Sequence, residues 1–115
     1  MTGAPSRGEI WLINLDPVRG HEQAGSRPCV VVSNDLYNHG PAGKHIILPI
    51  TSRHKGIPYH IEIVPPEGGL RSRSYVMCDD VRSVSRERLS KRLGSLSSRS
   101  LSLAEDSLRV LIGLW

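Results

Sequence analysis

The chain has 115 residues, a formal net charge of +4 and a hydrophobic fraction of 38%, and it contains no Phe. This length suits one domain and excludes a second of ordinary size, so residues 1–115 are expected to form a single unit. No apolar run approaches the ~20 residues that a membrane-spanning helix needs, and no signal peptide precedes Arg7. A cytoplasmic protein without a membrane partner is therefore expected.

Arginine dominates the positive charge, because it supplies twelve of the fifteen Lys and Arg residues. Its planar guanidinium makes bidentate contacts with phosphate, although a GC-rich genome explains such a bias equally well. A net charge of +4 and an isoelectric point near 9.5 therefore permit a nucleic-acid partner without establishing one.

The cysteines and histidines do not form a recognisable metal-binding pattern. Cys29 and Cys78 each lie in an apolar run and are not part of a CxxC pair, so both are expected to be reduced thiols in the core. The five histidines are scattered without the spacing of metal ligands. The sequence accordingly predicts neither a metal site nor a cofactor.

The first half of the chain reads as strands separated by polar turns. Apolar residues dominate 9–15, which predicts a strand buried on both faces, and β-branched residues in 28–33 predict a central strand. A turn is expected within 34–44. A further strand is predicted over 45–52, where Pro49 implies a sheet edge or a bulge.

The second half continues with predicted strands, and the spacing of its apolar residues then changes to that of a helix. Strands are predicted over 60–64, 74–78 and 82–84, and a short helix over 86–92 that ends at Gly94. Apolar residues then recur at helical spacing from Leu101 to Ile112. Ser102 and Glu105 match a capping box for the start of this helix, although a start at one of the preceding serines fits equally well. Gly113 suits a C-terminal cap at the end of the helix. The pattern predicts a mainly β fold of the α+β type, either a small curled barrel or two packed sheets, closed by one helix.

The common catalytic constellations are missing from the sequence. There is no P-loop and no GxSxG motif, and the adjacent Asp79 and Asp80 would point to opposite sides of a strand. RNA cleavage does not need a strong protein nucleophile, because the ribose 2′-OH lies beside the scissile phosphate. A protein that orients the phosphate and stabilises its developing negative charge can promote that attack.

Two residues at predicted strand ends could perform those tasks. Arg27 stands at the start of one buried strand and Thr51 at the end of the next, so neighbouring strands would bring them to one phosphate. On local pattern alone, however, an arginine in a surface ion pair and a threonine favoured by strand propensity are the better explanation.

The order of several short motifs resembles the MazF/PemK-type toxins of toxin–antitoxin modules over nearly the whole chain. Singly such motifs are weak, but their order and spacing together are specific, and they reverse the preference given by local pattern. The matching segments are Arg7-Gly8-Glu9-Ile10-Trp11, Asp16-Pro17, the loop from Gly20 to Pro28, Val30-Val31-Val32-Ser33, Asn38, Leu48-Pro49-Ile50-Thr51-Ser52, Val76-Met77-Cys78-Asp79, Arg88-Leu89, Leu93-Gly94 and Leu111-Ile112-Gly113-Leu114.

This resemblance implies a small SH3-like, CcdB-like β-barrel, usually a homodimer, that cleaves single-stranded RNA, often mRNA, at a short motif. It implies that Arg27 and Thr51 are the catalytic pair and that Glu22 lies in a loop near the site. One departure is Asp80, where many relatives carry Gln, which leaves the target sequence open. The implied partner is a small antitoxin whose acidic tail covers the RNA groove. A dimer needs an exposed apolar patch, and in this sequence either 101–114 or the edge near Val64 could provide it.

A set of flanking residues is expected to bind RNA. An arginine is a poor acid or base because its guanidinium does not give up its proton in a protein, so we expect Arg27 to clamp the phosphate and Thr51 to donate a hydrogen bond. His21 and His54 are candidates for proton relay, although exposed loop histidines are the simpler interpretation. The expected RNA-binding residues are His21, Glu22, Ser52, Arg53, His54 and Lys55.

Two other functions remain open at this point. CcdB-type gyrase poisons share the barrel but end in Trp-Gly-Ile, whereas this chain ends Ile112-Gly113-Leu114-Trp115, so the order does not match. A non-catalytic RNA-binding barrel would keep the basic groove without the chemistry, and the presence of both Arg27 and Thr51 argues against it.

Overall fold

The computed structural model describes residues 3–14 and 25–114. Within these ranges the chain forms strands joined by short turns, and a long helix follows the last strand. The elements are β1 (Glu9–Asn14), β2 (Ser26–Val31), α1 (Asp35–Asn38), β3 (Lys44–Thr51), β4 (His60–Ile63), β5 (Ser74–Met77), β6 (Arg82–Ser85), β7 (Leu89–Ser95) and α2 (Ser98–Leu111), with 3₁₀ turns at Glu67–Gly69, Cys78–Asp80 and Arg86–Arg88.

The described strands pair antiparallel in one continuous sheet with the order β4-β5-β3-β2-β1-β7, and β6 pairs with β3 beside this path. The predicted mainly β fold with a closing helix is confirmed. The sheet curls but does not close, because in the described residues no pairing joins β4 to β7. The barrel expected from the resemblance is therefore a loose description of a strongly curved open sheet.

Strand β3 is the centre of the sheet, so of the two alternatives predicted at Pro49 the sheet edge is wrong, and the register with β2 shows no bulge up to this residue either. One side of β3 pairs with β2, while the other side pairs first with β6 over residues 44–47 and then with β5 at Ile50 and Thr51. Pro49 lies where β6 has ended and β5 begins. Proline has no backbone N–H, and Pro49 lies between the stretches of β3 that pair with β6 and with β5. Neither pairing therefore loses a hydrogen bond because of this proline.

Two apolar clusters lie on the two faces of the sheet because successive strand residues alternate between faces. Val30 and Leu48 belong to the larger cluster, which α2 covers through Ala104. Val31 and Ile47, their neighbours in sequence, belong to the second cluster. In β1, Ile10 and Ile13 are buried whereas Trp11 and Leu12 are half-exposed, so the prediction that this strand is buried on both faces is only partly right.

The ends of α2 follow capping rules that the sequence contains. The helix begins at the earlier of the two predicted places, because the Ser97 side chain accepts a hydrogen bond from the Ser100 N–H. Gly113 follows the helix with φ of 79°, and the Leu114 N–H donates to the Arg109 carbonyl at 2.7 Å. This left-handed glycine forms the Schellman motif that the predicted C-terminal cap requires.

The predicted short helix over 86–92 is wrong. A 3₁₀ turn occupies Arg86–Arg88, and the rest of the segment is β7. The pairing of β7 with β1 outweighs the helical preference of these residues. Gly94 is a close-packing residue rather than a helix cap, since a Cβ there would lie 2.6 Å from the Gly68 carbonyl carbon.

Both cysteines are free and buried, as predicted. Burial raises the pKa of the Cys29 thiol to about 12 and that of Cys78 to about 11. These thiols stay protonated and unreactive near neutral pH. Among the described residues, no helix combines the length and apolarity needed to cross a bilayer.

His45 is a buried histidine that couples stability to pH. It is fully buried, and its Nε2–H donates to the Pro5 carbonyl at 2.9 Å. Burial lowers its pKa below the ordinary value of 6.5 and outweighs the hydrogen bond to the Pro5 carbonyl, which raises it. The positive charges of Arg86 and His39 lower the pKa further, whereas the charge of Asp35 raises it. The unfolded chain therefore binds the proton more readily than the folded one.

We expect the free energy of unfolding to be highest above about pH 6.5 and to fall as the pH drops below that value, because protonation then favours the unfolded chain. One proton limits this slope to ~1.4 kcal/mol per pH unit. Denaturant unfolding between pH 7.5 and 5 measures it. The His45→Gln variant should show a flatter profile, and an unchanged slope in that variant would contradict the assignment.

Candidate active site

Arg27 and Thr51 lie on neighbouring strands, as the sequence interpretation required. The β2–β3 ladder pairs Val31 with Ile47 and Cys29 with Pro49. Continuing this register by two residues sets Arg27 opposite Thr51, which puts both side chains on the same face of the sheet. Both residues also line the same two cavities. The fold thus brings the two predicted catalytic residues together.

Arg27 is an exposed cation on β2. In residues 3–14 and 25–114, no carboxylate lies within ion-pair distance of its guanidinium. This differs from Arg7, Arg73 and Arg92, which pair with Glu105, Glu62 and Glu9 respectively. The explanation by a surface ion pair is therefore not supported by the described residues, and the guanidinium remains available for an anionic ligand.

Thr51, at the end of β3, is buried, with a relative exposure of 8%. Its Oγ1 accepts a hydrogen bond from the Arg53 backbone N–H at 3.1 Å, which fixes the start of the loop that follows β3. Because the oxygen is the acceptor there, the hydroxyl hydrogen is left to donate to another group. A phosphate oxygen held by Arg27 could accept that hydrogen bond.

The pair stands between two adjoining cavities of about 430 Å³ and 330 Å³, which together we call the Arg27–Thr51 cleft. Ser52 lines both cavities, and the loop that contains it bounds the smaller one. The cleft is rich in positive charge, which suits an RNA backbone. Besides Arg27, its cationic lining residues are Arg53, Lys55, Arg71 and Lys91.

The other predicted RNA-binding residues fall into three groups. Ser52, Arg53 and Lys55 are exposed and line the cleft. His54 lines a neighbouring pocket instead, where its ring contacts that of Tyr75 at a centroid distance of 5.1 Å. His21 and Glu22 lie outside the described residues.

Arg71 and Lys91 are cleft residues that the sequence interpretation missed. Arg71 precedes β5, and Lys91 lies on β7, where it pairs with Leu12 of β1. Both are distant in sequence from the Arg27 and Thr51 motifs, and only the curvature of the sheet brings them to the cleft. An isolated basic residue carries no local signal that it will lie beside a site.

The adjacent acidic residues lie in a turn and not in a strand, so the strand geometry assumed for them in the sequence does not apply. Asp79 and Asp80 belong to a 3₁₀ turn, and the Asp79 carboxylate accepts a hydrogen bond from the His60 Nε2 at 3.0 Å. Among the described residues, no three His, Cys, Asp or Glu side chains gather as they would around a metal ion.

Comparison with known proteins relates this chain and its fold to one group of toxins. Residues 6–112 match the family described as PemK-like, MazF-like toxin of type II toxin–antitoxin systems. The chain is 34% identical to endoribonuclease MazF9 of Mycobacterium tuberculosis over 95% of this chain and 97% of that protein.

Solved structures of the same group superimpose over almost the full length. MazF of Deinococcus radiodurans in crystal form I gives a TM-score of 0.79 at 33% identity, covering 97% of this chain and 99% of that one. A MazE–MazF structure from the same organism gives 0.84 at 32% identity, covering 99% and 100%. The chain therefore belongs to the PemK-like, MazF-like toxin family of type II toxin–antitoxin systems, a family of endoribonucleases.

Proposed function

We propose that this protein cleaves single-stranded RNA, mRNA among it, without using a metal ion. The observation that carries the proposal is the convergence of the exposed Arg27 guanidinium and the Thr51 hydroxyl on one cationic cleft. The cleft lacks a strong nucleophile among its described residues, which fits a reaction in which RNA supplies its own.

In this reaction the ribose 2′-oxygen forms a bond to the adjacent phosphorus while the bond from phosphorus to the 5′-oxygen breaks. The 2′-OH loses its proton, and the departing 5′-oxygen gains one. The products are a 2′,3′-cyclic phosphate and a free 5′-OH. Negative charge grows on the non-bridging oxygens during the attack, so fixed donors placed at those oxygens lower the barrier.

Arg27 and Thr51 supply such donors. A guanidinium stays charged at any working pH and holds two phosphate oxygens at once, so Arg27 acts as clamp and charge stabiliser rather than as acid or base. Thr51 donates its remaining hydroxyl hydrogen to a non-bridging oxygen. His21 and His54 are our candidates for the two proton transfers, and Ser52, Arg53 and Lys55 guide the backbone into the cleft.

The test is incubation of the full chain with a long single-stranded RNA in excess EDTA, followed by analysis of the fragment ends. We expect discrete fragments that carry 2′,3′-cyclic phosphate and 5′-OH termini, and no cleavage of duplex RNA. A requirement for added divalent metal, or 3′-OH termini, would contradict the mechanism. Intact RNA together with gyrase trapped on DNA would instead identify a gyrase poison.

We further propose that the protein works in the cytoplasm as a homodimer that a small antitoxin inhibits. The MazE–MazF complexes of Deinococcus radiodurans support a partner of this kind. An acidic, flexible antitoxin segment would occupy the cationic cleft in place of RNA. For the dimer contact, the end of α2 exposes Val110 and Ile112 by 50% and 60%, and the edge after β4 exposes Val64 by 50%.

A further inference from the structure

A second pocket adjoins the Arg27–Thr51 cleft, and its volume is about 560 Å³. We call it the Tyr75 pocket. The two spaces are neighbours, because Lys55 lines both the pocket and the smaller cavity of the cleft. Its other walls come from the loop after β3 and from β4 and β5. The residues that line it are His54, Lys55, Gly56, Ile57, Pro58, His60, Glu62, Arg73 and Tyr75.

The sheet register connects this pocket to the catalytic pair. Tyr75 of β5 pairs with Thr51 of β3 on one side and with Glu62 of β4 on the other. Side chains of directly paired residues stand on the same face, so Glu62, Tyr75, Thr51 and Arg27 form one row across four strands. Adjacent strands are ~4.8 Å apart, which puts the Tyr75 strand ~10 Å from the Arg27 strand. This separation suits a base next to the phosphate that Arg27 clamps.

The pocket contains the groups that hold an unpaired base. The half-exposed Tyr75 ring packs against the His54 ring at 5.1 Å and 50°, which provides an aromatic surface. At the rim, the Arg73 guanidinium pairs with the Glu62 carboxylate at 3.2 Å, so a hydrogen-bond donor and an acceptor stand side by side. Single-stranded RNA is read in this manner, by stacking on aromatic rings and hydrogen bonding to base edges.

His60 is a further residue of the pocket wall. Its side chain is 4% exposed, and its Nε2–H donates to the Asp79 carboxylate at 3.0 Å, which fixes the orientation of the ring. The other ring nitrogen, Nδ1, is buried and has no hydrogen-bond partner in the described part of the chain.

We propose that the Tyr75 pocket binds the nucleobase of a nucleotide that flanks the scissile phosphate, with Tyr75 as the stacking platform and a determinant of the cleaved sequence. This inference rests on the proposed function, because the flanking position is defined by the phosphate at Arg27. The nucleic-acid class is single-stranded RNA, since an unpaired base reaches the ring without the unpairing and unstacking that a duplex base requires.

Binding and cleavage are measured with a short RNA that contains one cleavage site, its uncleavable 2′-deoxy version, and versions that are abasic at either flanking position. We expect Tyr75→Ala to weaken Kd for the uncleavable RNA and to reduce kcat/KM by about 5- to 140-fold, as stacking losses do. Tyr75→Phe should behave like wild type, because the ring is kept. One of the two abasic RNAs lacks the base that the pocket would bind. With that RNA, Tyr75→Ala should reduce affinity and kcat/KM by less than about 2-fold, because the ring has no base to stack on.

The controls separate this inference from a folding effect and from the proposed function. Tyr59→Ala removes a 38% exposed tyrosine that does not line the pocket and should leave binding and cleavage unchanged. Tyr75→Leu keeps apolar bulk in β5 and should show the same loss as alanine. Wild-type binding by Tyr75→Ala and Tyr75→Leu, or a loss that persists with every abasic RNA, would overturn the inference while leaving Arg27-dependent cleavage intact. Failure of wild type to cut RNA while Tyr75-dependent binding persists would instead overturn the proposed function.

Discussion

Replacing Arg27 with alanine is expected to reduce RNA cleavage by at least ~100-fold, the usual cost of removing one donor to a developing oxyanion. Arg27 is exposed and, within the described residues, has no ion-pair partner, so its loss should leave the fold almost unaffected. Surface substitutions of this kind change stability by ~0.5 kcal/mol or less. Most of the loss should appear in the single-turnover rate constant at saturating enzyme, because the clamp binds the phosphate more strongly as negative charge develops on it.

Two matched variants define what the Arg27 result means. Arg99→Ala removes the same charge from an exposed position in α2 that lines none of the cavities described here, and its cleavage rate should equal that of wild type. Arg27→Lys keeps the charge but loses the planar fork, so it should restore only a small part of the activity. Equal activity of Arg27→Ala and Arg99→Ala would show that the clamp lies elsewhere.

The sequence was sufficient for β1 to β6 and for the pairing of the two candidate catalytic residues. The runs at Val30 and Ile47 are apolar enough to be buried on both faces, and consecutive strands usually pair, so Arg27 and Thr51 could be expected to meet. The caps of α2 also follow from local chemistry, since Ser97 and Gly113 satisfy the helix ends within a few residues.

The features that sequence reasoning missed all depend on long-range pairing. The segment 86–92 is largely strand because β1 supplies an open edge, which no local propensity reveals. Pro49 is tolerated in the central strand because two partner strands share one side of β3. In the same way, Tyr75 is placed beside Thr51 only by the β3–β5 register. Positions of this kind follow from which strands meet, and that information is spread over the whole chain.

Removing the Thr51 hydroxyl is expected to reduce cleavage by at least ~100-fold, because its O–H donates to a non-bridging phosphate oxygen in the proposed reaction. Thr51→Val keeps the shape of this largely buried side chain and deletes the hydrogen bond. It also removes the acceptor of the Arg53 N–H, so the loop after β3 could shift in this variant. Thr51→Ser resolves the ambiguity, because it keeps both the acceptor and the donor and should retain most of the activity.

The two roles of Thr51 predict different patterns in binding and catalysis. If the hydroxyl only orders the loop, Thr51→Val should weaken Kd for an uncleavable 2′-deoxy RNA as strongly as it slows cleavage. If the hydroxyl stabilises the developing charge, Kd should change little while kcat falls, since the interaction strengthens only as charge develops. Combining Thr51→Val with Arg27→Ala should then cost less than the sum of the single effects, because donors that act on one phosphate depend on each other. Full additivity would mean that the two side chains act at separate points on the RNA.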